Sequence, residues 1–122
     1  MDEKRKFSRI SFATGAQLTQ ADKVWTTNIL DLSLNGALVE EPANFSAEKS
    51  PIVLSFSLQG SDIQVQMETS LIHQKSGHLG LRCQHIDVES ISHLRRMIEL
   101  NVGDSLLLNR ELELFIADHE SS

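Results

Sequence analysis

Apolar residues and one threonine recur at every second position through the middle of the chain. The pattern is most regular in Ile63, Val65, Met67, Thr69 and Leu71, with Gln64, Gln66, Glu68 and Ser70 directed the other way. A period of two belongs to an extended strand with one buried and one wet face. Ile52, Leu54, Phe56 and Leu58 repeat it upstream, and Gln59-Gly60-Ser61-Asp62 between them supplies the turn chemistry of a hairpin. After a turn over Gln74 to Gly77, the residues Leu79, Leu81 and Cys83 continue it. That turn would set His73 opposite His78. With segments near Arg9 to Ala13, Gln17 to Ala21, Val24 to Leu30 and Ala37 to Glu40, the chain predicts six or seven short antiparallel strands. Closing them into a barrel removes exposed edges.

The period then changes. From Glu89 the apolar residues Ile91, Leu94, Ile98 and Val102 fall three or four apart, with Arg95, Arg96 and Glu99 between them, which predicts an amphipathic helix packed on the barrel. Gly103 suits its end, and Asp104 or Ser105 can cap a second helix using Leu108, Leu112 and Phe115 as its apolar face. The fold class is therefore mainly β: an antiparallel barrel over residues 10 to 88, with residues 89 to 122 forming helices of the same domain.

Charge sharpens this picture. The 122 residues carry a formal net charge of -6, yet Lys4, Arg5, Lys6 and Arg9 outweigh Asp2 and Glu3. Residues 1 to 9 thus hold +2 and the remainder -8, so a flexible cationic arm is expected on an anionic body. No apolar run approaches the roughly 20 residues of a membrane span, and Phe7, Ser8 and Arg9 follow the basic start where a secretory signal would turn apolar. A single cysteine, Cys83, excludes an internal disulfide. A soluble, monomeric, cytoplasmic protein is the expectation.

Two local patterns carry chemistry. Arg5 and Arg9 stand four apart, and each planar guanidinium can take a phosphate or a guanine edge in bidentate fashion and stack on a purine; Lys6 adds charge without that geometry. In Asp31-Leu32-Ser33-Leu34-Asn35-Gly36, Asp31 and Ser33 alternate with two leucines, so two polar side chains leave one side while the leucines anchor the other. Gly36 admits a positive φ or a close approach. The Asp31 carboxylate can accept from guanine N1–H and N2–H, which no arginine can do.

Arg5-x-x-x-Arg9 followed by Asp31-x-Ser33-x-x-Gly36 resembles the paired signature of the PilZ family. The resemblance extends through Gly80-Leu81-x-Cys83-x-His85-Ile86-Asp87 and the helix from Ser90 to Arg96, and is nearest to stand-alone PilZ proteins. It implies a PilZ-type barrel that binds cyclic di-GMP, a bacterial messenger with two guanines and two phosphates in a closed ring. Arg5 and Arg9 would then contact phosphate and stack on guanine, Asp31 would read the guanine edge, Ser33 would bond ligand or loop, and Gly36 would shape the loop. A basic residue at Lys4 favours a stacked pair of ligand molecules, and His73, at the site's edge, can stack on a guanine. The resemblance also implies an unidentified downstream protein partner, with motility, adhesion and exopolysaccharide synthesis as candidate outputs.

Other readings are weaker. His73, His78, His85 and Cys83 are too scattered for one zinc, leaving Cys83 as a buried thiol and His85 as a surface imidazole. No cofactor or metal is expected. Motifs of hydrolases and phosphate loops are lacking, so binding rather than catalysis is expected. A single-stranded nucleic-acid barrel would need a cationic, aromatic surface, whereas this body is anionic with one Trp and no Tyr. A ligand-independent protein-interaction module is the main alternative, although such members of the family generally lack the two arginines.

Overall fold

The computed structural model describes residues 10–48, 51–57, 62–102 and 105–120. Six strands, β1 (Ile10–Gln20), β2 (Lys23–Ser33), β3 (Gly36–Glu40), β4 (Ile52–Ser57), β5 (Gln64–Lys75) and β6 (His78–Ile86), precede the helices α1 (Val88–Val102) and α2 (Ser105–Glu120). The strands close into an antiparallel barrel in the order β1-β2-β3-β6-β5-β4. The two N-terminal segments expected as separate strands are one, because Thr14, Gly15 and Ala16 between them stay paired with Ile29, Asn28 and Thr27; the irregularity falls earlier, between Ser11 and Thr14. The turn expected at Gln59 to Asp62 falls mostly outside the described residues, as do Gly103 and Asp104 between the helices.

Alternation places the core as expected in β4, β5 and β6. Ile52, Leu54, Phe56, Val65, Met67, Leu79, Leu81 and Cys83 are buried, and Thr69 joins them by donating its hydroxyl proton to the Ile52 carbonyl at 2.8 Å. Ile63 departs from the pattern: it precedes β5 and stays exposed.

Because β3 and β4 lie on opposite sides of the ring, their connection must cross a barrel mouth. It is strapped there. The Gln20 side chain bonds both the N–H and the carbonyl of Glu48 (2.8 and 3.1 Å), Trp25 Nε1 donates to the Asn44 carbonyl, and the Trp25 and Phe45 rings meet at 4.8 Å.

The other mouth is capped by α1, whose Leu94 and Ile98 are fully buried in the barrel core, with Ile91 and Met97 beside them. Ser90 Oγ accepts the Gln66 N–H, joining the helix start to β5. The helix begins one residue earlier than periodicity indicates because Asp87 caps it. Its Oδ2 accepts the Ser90 N–H at 2.9 Å, and this bond, with the Ser90 hydroxyl, holds the Asp87 carboxyl below its ordinary value of 3.8. A depressed folded pKa adds stability above the ordinary value, which is lost as pH falls through the lower folded one. Asp87→Ala should therefore cost about 0.5–1 kcal/mol at neutral pH, the low end of capping energies for so exposed a carboxylate. In urea titrations the difference from wild type should vanish in acid, below the folded pKa.

Candidate functional site

Trp25, Thr27 and Ile29 alternate inward along β2, and uninterrupted alternation would send Asp31 inward too. It does not, because Leu30 is an extra residue in the ladder to β3, where Ile29 pairs with Val39 and Asp31 with the adjacent Leu38. This bulge resets the phase. Leu32 and Leu34 become fully buried while Asp31 turns to the outer face, half-buried.

Leu34 and Asn35 form a two-residue connection closed by the pair Ser33 and Gly36. Three contacts fix it. The Ser33 hydroxyl accepts the Asn35 N–H at 3.2 Å and donates to the Gly36 carbonyl at 3.4 Å, and the Asn35 carbonyl accepts the Cys83 N–H at 2.8 Å. Ser33 is thus buried and hydrogen-bonded within its own turn. Gly36 is held at φ +153, and a Cβ there would stand 2.0 Å from the Leu81 carbonyl oxygen.

Register carries the site across the sheet. Ser11, Asp31, Leu38, Gly80 and His73 form one lateral row over β1, β2, β3, β6 and β5. His73 lies opposite Gly80, and the expectation that it faces His78 is wrong: the turn is only Ser76 and Gly77, both at positive φ, so Lys75 pairs with His78. The His73 ring is exposed and covers Gly80, where a Cβ would lie 2.3–2.7 Å from three ring atoms. Asp31 and His73 therefore bound a shallow floor about 14 Å wide, three strand spacings, made by Leu38 and Gly80.

The chain enters β1 beside that floor, with Ile10 opposite Leu32 and Ser11 opposite Asp31. Lys4, Arg5, Lys6 and Arg9 themselves lie outside the described residues. Two further outer-face residues were not singled out by local pattern: Gly80, and Arg82, which pairs with Gly36 and is exposed. Their signal was the alternation of β6, in which Leu79, Leu81 and Cys83 point inward and so put residues 80 and 82 outside. Cys83 is buried on the core side of β6. Burial, reinforced by the charge of Glu68, pushes its thiol up to about 12 despite a backbone hydrogen bond from His85, which is itself exposed.

The sequence matches the PilZ domain family model over residues 3–100. The chain belongs to the PilZ domain family, whose members are cyclic di-GMP-binding and protein-interaction modules. Among solved structures, it resembles the PilZ domain of CeSA from a cellulose synthesizing bacterium, with a TM-score of 0.59 and 18% identity over 79% of this chain and 96% of that one. It also resembles the Bacillus subtilis inhibitor of motility, MotI/DgrA, with a TM-score of 0.66 and 17% identity over 84% of this chain and 53% of that one. At such identities both likenesses concern the fold. No helix among the described residues is long and apolar enough to cross a membrane.

Proposed function

We propose that this protein is a non-enzymatic receptor for cyclic di-GMP. The observation that carries the reading is the outward turn of Asp31 at the Leu30 bulge, directly beside the point where the Arg5/Arg9 segment runs into β1. In this reading the Asp31 carboxylate accepts from the guanine N1–H and N2–H, while the Arg5 and Arg9 guanidiniums take phosphate and stack on purine. Ile10, which follows Arg9 in the sequence, pairs with Leu32, one residue from the Asp31 row. His73 bounds the far side and offers a ring to a second guanine. Lys4 supports a stacked ligand pair.

Ligand phosphates offset the mutual repulsion of Lys4, Arg5, Lys6 and Arg9 and order the arm over the outer face of the barrel. The ordered arm and ligand form a surface that a downstream protein reads. The structural likeness to an inhibitor of motility makes a motility protein one candidate. Binding, not turnover, is the chemistry.

Calorimetry tests this directly. Cyclic di-GMP should bind saturably to the full chain while a linear oligonucleotide does not, and amide exchange over residues 4 to 9 should slow in the complex. Absence of saturable binding would leave the ligand-independent interaction module as the better reading. Binding with unchanged exchange would retain the receptor and discard arm ordering.

A further inference from the structure

The outer face of β6 holds a cation that neither motif includes. Arg82 is exposed, and its guanidinium makes no hydrogen bond or ion pair with any described residue. It pairs laterally with Gly36 on β3 and with Ser70 on β5, while Gly80 and Gln84 precede and follow it on the same face. None of these four neighbours is a carboxylate, in a chain whose net charge is -6. An unpaired arginine amid neutral residues presents a free bidentate donor set.

Its position gives that donor set a direction. Arg82 is two strands and two residues from Asp31, about 12 Å between Cα atoms, and diagonal to His73 on the adjacent strand. The row that continues into the arm, Ile10-Leu32-Ala37-Leu81, ends one residue from it. Ile10 at the start of β1 and Arg82 on β6 therefore stand on opposite sides of this face, three strand spacings or about 14 Å apart. Between them, Gly36 has no side chain, so the guanidinium can lie across β3 toward Asp31.

Resting on the cyclic di-GMP reading above, we infer that Arg82 is a further phosphate-binding residue, on the same outer face as Asp31 and His73. A cyclic dinucleotide carries its two phosphates on opposite sides of one ring. With a guanine edge held at Asp31, one of these phosphates is directed toward β6. Arg82, held on strand β6, offers its guanidinium fork to that phosphate.

Titrating the full chain with cyclic di-GMP in calorimetry tests this, using wild type, Arg9→Ala, Arg82→Ala and Arg82→Lys at one salt concentration. Arg82→Ala should weaken binding roughly ten- to a hundredfold, with an unchanged melting temperature because the side chain is exposed. Arg82→Lys, which keeps the charge and loses the fork, should recover only part of that loss. Affinity of Arg82→Ala within about threefold of wild type, while Arg9→Ala binds weakly, would overturn the role of Arg82 and leave the receptor standing. No saturable binding by wild type would overturn both.

Discussion

Gly36→Ala should be the most damaging single substitution at the site, lowering stability by on the order of 2–4 kcal/mol. A methyl group there meets only backbone: the Leu81 carbonyl oxygen at 2.0 Å, the Leu81 carbonyl carbon at 3.1 Å and Arg82 Cα at 3.2 Å. None can swing aside, because β3 and β6 are paired through this region, from Gly36 opposite Arg82 to Glu40 opposite His78. The positive φ adds strain that only glycine escapes. Against a total stability of about 5–15 kcal/mol, the loss is severe, and the melting temperature followed by circular dichroism should fall by roughly 10 °C or more. Gly80→Ala provides the contrast. Its new Cβ also meets atoms under 3 Å, but they belong to the His73 ring, which can rotate away for about 0.5–1.5 kcal/mol. Equal melting temperatures for the two variants would refute the claim that β6 backbone, rather than general crowding, makes glycine necessary at position 36.

Asp31→Ala should act on binding and leave the barrel nearly intact. Asp31 is half-buried on the outer face, and the residues that lock the neighbouring turn are Ser33, Leu34 and Asn35. Its removal should change stability by less than about 1 kcal/mol. Loss of a charge-assisted pair of hydrogen bonds should weaken cyclic di-GMP binding by about 1.5–3 kcal/mol, roughly ten- to a hundredfold. Base selectivity provides a second readout. Adenine presents an acceptor at N1 where guanine presents a donor, so the carboxylate favours guanine and disfavours adenine. Wild type should prefer cyclic di-GMP to cyclic di-AMP, and Asp31→Ala should narrow that preference. An unaltered preference in a well-folded variant would remove the carboxylate from base recognition.

The elements that repeat a local period were legible along the chain. Alternation in Ile52 to Phe56, Val65 to Thr69 and Leu79 to Cys83 marked three strands and their inward faces, and the spacing of Ile91, Leu94 and Ile98 marked the capping helix. Asp31, Ser33 and Gly36 were legible as a group because a turn needs its residues close in sequence. The extent of β1 was misread because Thr14, Gly15 and Ala16 carry little apolar signal yet stay paired with Ile29, Asn28 and Thr27. His73 was assigned the wrong partner because a four-residue and a two-residue turn both fit Gln74 to Gly77, and each sets a different register.

Sequence by itself determined which residues could serve the chemistry: two guanidiniums four apart, a carboxylate, a hydroxyl and a glycine near one turn. Tertiary structure decided where they point and what joins them. The extra residue at Leu30 turns Asp31 outward, the approach of Leu81 makes Gly36 obligatory, and the β3–β6 pairing brings Gly80, Arg82 and His73 to the same face. Periodicity encodes a side chain's direction relative to its own strand, whereas register is set jointly by two strands that here can lie more than forty residues apart, as Gly36 and Arg82 do.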